Sequence, residues 1–405
     1  MPYTSRAVRR RSVIASAAGA GLLLAGGAAV PARAAGRRAL VLGLPAPTGP
    51  HRVGATVLYL VDRSRPDPLT PAIPVRELMV TVFHPAETVR GRPRAPHMTP
   101  GAAALFREID VRVHHLPAAG VDWAATRTHA YAGAPALPGR RPVLLYSPGG
   151  GDPRTLGTGL AEDLASHGYV VVAVDHPGDA GEVEFPADLP GRERVRTTVL
   201  TGPPGPELFD VLVDTRIADL RFVLDQLAVL AAGRSPDALG RPLPRGLAAA
   251  LDLRRVGVYG HSLGGTAVTE AMRRDRRIRA AVNLEGYLDH PPAADGRPGE
   301  LFPVAREGTD RPLLLAGTDG FHDERFERSW PAVLARSGGR ARRRRLDGAG
   351  HWVFTDYAAL APRLQAAGLM PARDRDALVG PARPERSVPA VRRLVRSFFA
   401  RHLPG

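Results

Sequence analysis

The most informative segment of the chain is Val256-Gly257-Val258-Tyr259-Gly260-His261-Ser262-Leu263-Gly264-Gly265. An apolar run enters a Gly-x-Ser-x-Gly pattern, and a helical pattern follows it, which is typical of a nucleophile elbow. Glycines around Ser262 allow the strand and the helix to pack closely, which leaves the serine hydroxyl exposed on a sharp turn. The N-terminus of the helix then points at any negative charge that develops there. The segment therefore predicts a nucleophilic Ser262 at the end of a buried strand.

Short apolar runs alternate with longer helical patterns on both sides of this segment, as in a mostly parallel sheet covered by helices. We predict an α/β fold with eight strands in a mostly parallel sheet and helices on both faces. The predicted strands are Gly54 to Val61, Glu77 to Phe83, Pro142 to Ser147, Tyr169 to Asp175, Arg255 to Tyr259, Ile278 to Leu284, Arg311 to Ala316 and Arg342 to Leu346. The predicted helices are Arg154 to His167, Glu207 to Leu230, Leu263 to Arg273, Glu324 to Arg336 and Ala390 to Arg401, and His84 to Gly101, Pro177 to Pro206 and Gly233 to Gly246 are predicted loops.

The composition excludes several classes of protein. With 405 residues, 44% of them hydrophobic and 23% charged, the chain is long enough to bury a large core. It has no cysteine, which excludes disulfides, thiolate metal sites, iron–sulfur clusters and a cysteine nucleophile. Neither a His-Glu-x-x-His pattern nor an acidic calcium loop occurs, so we expect no metal or organic cofactor.

All 55 basic residues are arginine, and the formal net charge is +15. Much of this charge is local, in the run Arg342 to Arg345 and in a cluster of five arginines between Arg273 and Arg279. Aromatic residues make up only 5% of the chain, and no nucleic-acid-binding motif accompanies the arginines. We therefore expect no nucleic-acid partner, and attraction to anionic lipid or polymer surfaces is the expected consequence of the charge.

Residues 1–34 are interpreted as an export signal, followed by one domain over residues 35–405. A basic start precedes the apolar run Val13 to Val30, and Ala32-Arg33-Ala34 fits a cleavage site. The segment Arg10-Arg11-Ser12-Val13-Ile14 resembles the twin-arginine export signal, and an ordinary secretory signal or an uncleaved anchor is the alternative. We expect a secreted protein, with no membrane-spanning segment in the mature chain.

A serine nucleophile needs a histidine base that is itself oriented by an acid. Gly348-Ala349-Gly350-His351 follows the last predicted strand and comes after Ser262 in the chain, which makes His351 the predicted base. Two acids compete for the third position, because Glu285 ends the strand after the elbow and Asp319 follows the next strand. The residues alone leave both open.

The chemistry also needs two backbone N–H groups that bind the oxyanion. Ser147-Pro148-Gly149-Gly150-Gly151-Asp152 follows a buried strand, as the glycine-rich loop of lipases does. No Gly-Lys-Ser/Thr pattern follows it, so a phosphate-binding loop is excluded. The predicted donors are the N–H groups of Gly150 and of Leu263, which follows the nucleophile.

Several segments together resemble the plasma-type platelet-activating factor acetylhydrolases and their secreted bacterial relatives, within the α/β-hydrolases. They are Leu44-Pro45-Ala46-Pro47-Thr48-Gly49-Pro50, Arg76-Glu77-Leu78-Met79-Val80, Phe83-His84-Pro85, Asp163 to Tyr169, the elbow, and His351 with Phe354 and Asp356. The resemblance covers most of residues 40 to 370 and implies an α/β-hydrolase fold. Pro148 stands where the family often has histidine before the glycines of the oxyanion loop.

The resemblance bears on both the acid and the substrate. In the family the acid ends the strand after the elbow, so the resemblance favours Glu285 over Asp319, with glutamate in place of the family's aspartate. It implies a serine esterase that cleaves short or oxidised acyl esters of phospholipids. The alternatives are a broad-specificity esterase, lipase or polyester hydrolase, and a non-catalytic domain that binds lipid or polymer through its arginines.

Overall fold

A nine-stranded sheet runs through the computed structural model, which describes residues 39–186 and 192–404. The predicted export signal at residues 1–34 lies outside the described residues. Across the sheet the strands lie in the order β11 (Ala341–Leu346), β10 (Leu313–Thr318), β9 (Ile278–Leu284), β8 (Leu251–His261), β4 (Arg141–Ser147), β5 (Val170–Val174), β2 (Arg76–Pro85), β1 (Val53–Asp62) and β3 (Tyr131–Ala132). The pairs β1–β2 and β2–β5 are antiparallel, and the other pairs are parallel.

Helices cover both faces of this sheet. In chain order they are α1 (Pro100–Val113), α2 (Thr158–Ser166), α3 (Pro206–Ala231), α4 (Leu247–Ala250), α5 (Leu263–Arg274), α6 (Pro303–Glu307), α7 (Glu324–Arg336), α8 (Tyr357–Ala366), α9 (Ala372–Val379) and α10 (Pro384–His402). One buried apolar cluster packs α3 and α5 on one face, and a second packs α2 and α10 on the other. Among the described residues, no helix is long and apolar enough to span a bilayer.

All eight predicted strands are present, and the predicted mostly parallel α/β sheet is confirmed. The predicted strand number is wrong by one, because the two-residue strand β3 pairs with β1 as a ninth strand. The predicted loop Pro177 to Pro206 contains a small hairpin, formed by β6 (Glu182–Glu184) and β7 (Val195–Thr197). The predicted helix Arg154 to His167 is a 3-10 turn, Arg154–Gly157, that continues into α2.

The parallel strands bring the predicted functional residues to one edge of the sheet. Strands β8, β9, β10 and β11 are neighbours in that order, and the carboxyl ends of parallel strands meet at the same edge. The register pairs His261 with Leu284, so Ser262 and Glu285 leave adjacent strands at the same level. It also pairs Thr318 with Leu346, so Asp319 lies beside the turn that leads to His351.

Candidate active site

Ser262 occupies the turn between β8 and α5, as the sequence predicts. Its backbone has φ 53° and ψ −122°, a conformation that costs a non-glycine residue of the order of 1–3 kcal/mol. The Ser262 N–H donates to the carbonyl of Leu284 over 2.9 Å, which ties the turn to β9. The side chain remains partly exposed, in contrast to its buried neighbours His261 and Leu263.

Three glycines make this turn possible by close approach of backbone to backbone. A Cβ on Gly260 would lie 2.9 Å from the nitrogen of Gly265, and one on Gly264 would lie 2.7 Å from the carbonyl carbon of Ser147. A Cβ on Gly286 would lie 2.5 Å from the nitrogen of Thr266. Any side chain at these positions would push α5 away from the sheet, so the glycines fix where the Ser262 hydroxyl lies.

His351 begins a 3-10 turn, His351–Phe354, that follows β11. Its Nδ1 lies 2.8 Å from Oε2 of Glu285, and both side chains are almost fully buried. The Nε2 of His261 lies 3.0 Å from the backbone carbonyl of His351, which fixes this residue beside the elbow. Among the described residues, Ser262 forms no hydrogen bond to His351, a contact that in such sites tightens when substrate binds.

Glu285 reaches His351 because its backbone is also unusual. It follows β9 with φ 63°, in the left-handed region, which turns the longer glutamate side chain back toward the sheet edge. Its Oε1 accepts hydrogen bonds from the backbone N–H and the hydroxyl of Thr318, at 2.5 and 2.7 Å. Its Oε2 is then left for the imidazole, so each carboxylate oxygen has a separate partner.

Asp319, the competing candidate, is placed elsewhere. It is exposed, and its two oxygens accept the N–H groups of Gly348 and Ala349, at 2.9 and 3.1 Å. These bonds hold the turn that carries His351, and they lower the pKa of Asp319. The geometry therefore pairs the histidine with Glu285 and gives Asp319 a bracing role in the turn.

Burial governs the protonation of the Glu285–His351 pair. It raises the pKa of the Glu285 carboxyl to about 8, the charge of Asp319 adds to the rise, and the Thr318 hydrogen bonds oppose it. Burial lowers the pKa of the His351 imidazole well below its ordinary value, and the nearby rings of His261 and His114 lower that pKa further. At neutral pH the pair therefore favours states without net charge.

The predicted oxyanion donors lie next to each other. Gly150 is exposed on the loop after β4, and a Cβ there would lie 3.4 Å from Cδ2 of Leu263. Leu263 is the first residue of α5, where the backbone N–H has no partner within the helix. Two N–H groups at such a corner can bind the negatively charged oxygen that forms on a carbonyl group during acyl transfer.

A cavity of about 620 Å³ opens beside this corner. It is lined by the C-terminal half of α1, by Gly150 to Asp152, by residues 197–198 and 200–203, and by Trp352, which follows His351. Trp352 packs against His114 with 4.7 Å between ring centroids. A second cavity of about 310 Å³ lies between β1, β2 and α1. Ser262, Glu285 and His351 line neither cavity, but Gly150 and Trp352, which adjoin the site, line only the larger one. The larger cavity is therefore the candidate substrate pocket.

Three residues of this region were missed by the sequence reasoning: Thr318, Trp352 and Arg216. Thr318 and Trp352 adjoin residues that the motifs identify, but nothing in the pattern marks them. Arg216 does carry a signal, because it lies four residues from both Leu212 and Leu220 on the buried face of α3. A charged residue within an apolar helical stripe needs a buried partner.

The arginine clusters are partly neutralised by acids. Around the end of α5, four arginines form ion pairs of 2.6 to 2.7 Å: Arg273 with Glu307, Arg274 with Asp214, Arg276 with Asp310, and Arg277 with Asp225. On the edge strand β11, Arg343 pairs with Glu327 and Arg345 with Asp347. These counter-charges weaken the positive field that the sequence suggests.

Comparison with known proteins gives consistent matches. The sequence model of the family described as "Platelet-activating factor acetylhydrolase, isoform II" matches residues 105–201. A protein of Arthroderma benhamiae described as a probable 1-alkyl-2-acetylglycerophosphocholine esterase is 29% identical over 387 residues, covering 89% of this chain and 88% of that protein. The platelet-activating factor acetylhydrolase of Bos taurus is 27% identical over 219 residues, 44% of this chain and 40% of that enzyme.

A solved structure is similar over nearly the whole chain. The ferulic acid esterase from Streptomyces cinnamoneus superposes with a TM-score of 0.70 and is 34% identical. The match covers 90% of this chain and 94% of that esterase.

The placement of the two acids leads to a direct test. In Glu285→Gln the amide would donate to Nδ1 of His351 and hold the proton on the wrong ring nitrogen, so we expect kcat/KM for p-nitrophenyl acetate to fall about 10³- to 10⁴-fold. In Asp319→Asn one oxygen still accepts an N–H of the turn, so we expect a fall of less than about 10-fold. Thermal unfolding of both variants is the control for folding, and a larger loss in Asp319→Asn than in Glu285→Gln would contradict the assignment.

Proposed function

The chain belongs to the platelet-activating factor acetylhydrolase family of α/β-hydrolases and is a carboxylic ester hydrolase; on that premise, we propose that it works through a covalent acyl-enzyme on Ser262. The observation that carries the proposal is the 2.8 Å contact between Glu285 and Nδ1 of His351 beside the strained turn of Ser262. When Glu285 is ionised, this contact supports the histidine tautomer in which Nε2 is free to accept a proton from the serine.

In the first half of the reaction, His351 Nε2 takes the proton of the Ser262 hydroxyl while Oγ attacks the ester carbonyl carbon. The carbonyl oxygen becomes an oxyanion and accepts the N–H groups of Gly150 and Leu263. Collapse of this intermediate breaks the bond to the alcohol oxygen, which receives the proton from His351. The acyl group stays on Ser262.

In the second half, water replaces the alcohol. His351 accepts a proton from the water as its oxygen attacks the acyl carbon, and the same two N–H groups hold the second oxyanion. The bond to Ser262 Oγ then breaks, the serine recovers its proton from His351, and the carboxylic acid leaves. Glu285 accepts the Nδ1–H throughout and stabilises the imidazolium.

For the substrate, we propose phospholipid esters with short or oxidised acyl groups. The description of the Arthroderma benhamiae relative, matched over 89% of this chain, supports a glycerophospholipid with a short acyl group. The 620 Å³ cavity adjoins Gly150, where the ester carbonyl would lie, and the exposed side chain of Arg112 lines the same cavity. A guanidinium there suits a phosphate group on the leaving alcohol.

A second candidate substrate is an ester of an aromatic acid. The Streptomyces cinnamoneus structure, which is 34% identical over 90% of this chain, is that of a ferulic acid esterase. The cavity beside Gly150 has an aromatic wall, formed by Trp352 packed on the buried ring of His114. An aromatic acyl group would stack on such a wall.

We further propose that the protein is exported by the twin-arginine route. The basic, apolar and small-residue pattern of residues 1–34 and the absence of cysteine from the sequence support this proposal.

The acyl preference separates these candidates. We expect hydrolysis of p-nitrophenyl esters to be fastest for acetate and to fall with acyl length toward palmitate, and 1-alkyl-2-acetylglycerophosphocholine to be cleaved faster than methyl ferulate. Removal of the nucleophile in Ser262→Ala should lower kcat by about 10⁵- to 10⁶-fold. The measurements are steady-state kinetics with EDTA present.

Ser387→Ala is the matched control, since Ser387 is a buried serine of α10 outside the site. Faster cleavage of methyl ferulate would favour the aromatic-acid candidate, and undiminished activity toward palmitate would favour a lipase. Absence of any activity that depends on Ser262 would leave the non-catalytic binding domain as the better account.

The protonation of the Glu285–His351 pair predicts the pH dependence. When Glu285 is protonated, its carboxyl donates to Nδ1 and the ring proton stays on Nε2, so His351 cannot act as a base. Activity should therefore rise with pH as the carboxyl ionises, with a midpoint near the raised pKa of about 8. In Asp319→Asn the midpoint should move to lower pH, because the charge of Asp319 contributes to the rise.

The readout is kcat/KM for p-nitrophenyl acetate between pH 5 and pH 10. A profile that is flat from pH 6 to pH 9 in the wild-type protein would show that burial does not govern the pair.

A further inference from the structure

Arg216 is a fully buried arginine in the middle of α3, and its partners lie on the oxyanion loop. Its Nε donates to Oδ2 of Asp179 at 2.6 Å. Its Nη1 donates to the carbonyl of Pro148 at 2.5 Å and to the hydroxyl of Ser147 at 3.1 Å. Its Nη2 donates to the carbonyl of Gly149 at 2.8 Å. Each guanidinium nitrogen thus has a partner, which a buried charge requires.

The bond to Gly149 has a consequence for its neighbour. The carbonyl of Gly149 and the N–H of Gly150 belong to the same peptide group, and in a trans peptide they point in opposite directions. The guanidinium holds the carbonyl toward α3, so the N–H of Gly150 points away from α3. Leu263, the other predicted donor, lies beside Gly150, because its Cδ2 is 3.4 Å from where a Cβ of Gly150 would be.

Asp179 fixes the next peptide group of the loop. While its Oδ2 binds Arg216, its Oδ1 accepts the N–H of Gly151 at 3.0 Å. The carbonyl of Gly151 accepts the N–H of Gly181 at 2.7 Å. The loop is therefore tied on both sides of Gly150, and within the described ranges the Gly150 N–H itself meets no acceptor.

We propose that Arg216 is a positioning residue that aims the N–H of Gly150 at the oxyanion. This inference rests on the proposed serine-esterase function and adds a residue to it. The guanidinium sets the direction of the N–H before substrate arrives, so no reorientation is needed during the reaction. Its positive charge on the carbonyl oxygen also polarises the shared peptide group, which makes the N–H a stronger donor.

The alternative is that Arg216 only braces the fold. The chain offers a comparison in Arg392 of α10, which is also buried and also holds backbone carbonyls. Its Nη1 donates to Ala46 at 2.7 Å, and its Nη2 donates to Pro45 and Gly159 at 2.9 and 3.1 Å. None of these carbonyls belongs to the oxyanion loop, so Arg392 is a matched control for loss of a buried guanidinium.

The test compares Arg216→Lys with Arg392→Lys. Lysine keeps the charge but cannot hold two carbonyls and a carboxylate at once in the planar geometry of the guanidinium. The fraction of functional protein in each sample is counted by titration with a fluorophosphonate, and kcat is expressed per titrated site with p-nitrophenyl acetate as substrate. Binding of an alkyl trifluoromethyl ketone, which forms an oxyanion on the serine, is measured on the same samples.

For Arg216→Lys we expect kcat per site to fall about 10- to 100-fold, less than the 10²- to 10³-fold cost of removing an oxyanion donor outright. The KM should stay within about 3-fold, and the trifluoromethyl ketone should bind more weakly by the same factor as kcat falls. Arg392→Lys should reduce only the number of titrated sites. Asp179→Asn, which loosens both Arg216 and Gly151, should give the same pattern with a smaller loss of kcat per site. If Arg216→Lys yields no titrated sites, the result for Asp179→Asn tests the proposal in its place.

The inference is overturned if Arg216→Lys, or Asp179→Asn in its place, retains wild-type kcat per site and inhibitor affinity, or if Arg392→Lys shows an equal per-site loss. Failure of the proposed function is distinguishable, because it would appear in the wild-type protein as hydrolysis that Ser262→Ala leaves intact.

Discussion

The packing of α5 on the end of β8 is the constraint on which the site depends. Gly260, Gly264 and Gly286 bring backbone against backbone so closely that a side chain at any of them would separate the helix from the sheet. The chain crosses this corner only by placing Ser262 at φ 53°, at a cost of the order of 1–3 kcal/mol. Burial of strands on both faces of the sheet stabilises that conformation and leaves the hydroxyl in one place. The order of β8, β9, β10 and β11 then brings Glu285 and His351 to the same edge.

Buried charge is the second element of the account. Glu285 and His351 lie out of water, which moves their pKa values in opposite directions and makes the pair sensitive to pH near neutrality. Behind the oxyanion loop, Arg216 and Asp179 form another buried pair, whose remaining donors and acceptors hold the peptides on either side of Gly150. The first pair orients the imidazole of His351, and the second holds the loop beside the Ser262 corner. Preorganised donors of this kind account for much of the rate enhancement in acyl transfer.

Much of this arrangement follows from the sequence, and the remainder has identifiable physical causes. Continuous apolar runs predicted the middle strands, and the elbow predicted the turn at Ser262. The acid was left open because Glu285 and Asp319 both end neighbouring strands, and only the left-handed backbone at Glu285 turns one of them toward His351. Helix α1 was missed, being alanine-rich with a weak apolar stripe, and β3 is too short to leave a pattern. The contacts of Arg216 join residues almost seventy positions apart, which no local pattern records.

The central step of the proposed mechanism is transfer of the ester's acyl group to Ser262, from which water then removes it. The most direct measurement is intact-mass analysis of protein mixed with p-nitrophenyl butyrate and quenched in acid within milliseconds, followed by peptide mapping. The account predicts one butyryl group per chain during turnover, located on the peptide that carries Ser262, and none in Ser262→Ala. Rapid turnover with no covalent species at any quench time, or a butyryl group on a residue other than Ser262, would contradict it.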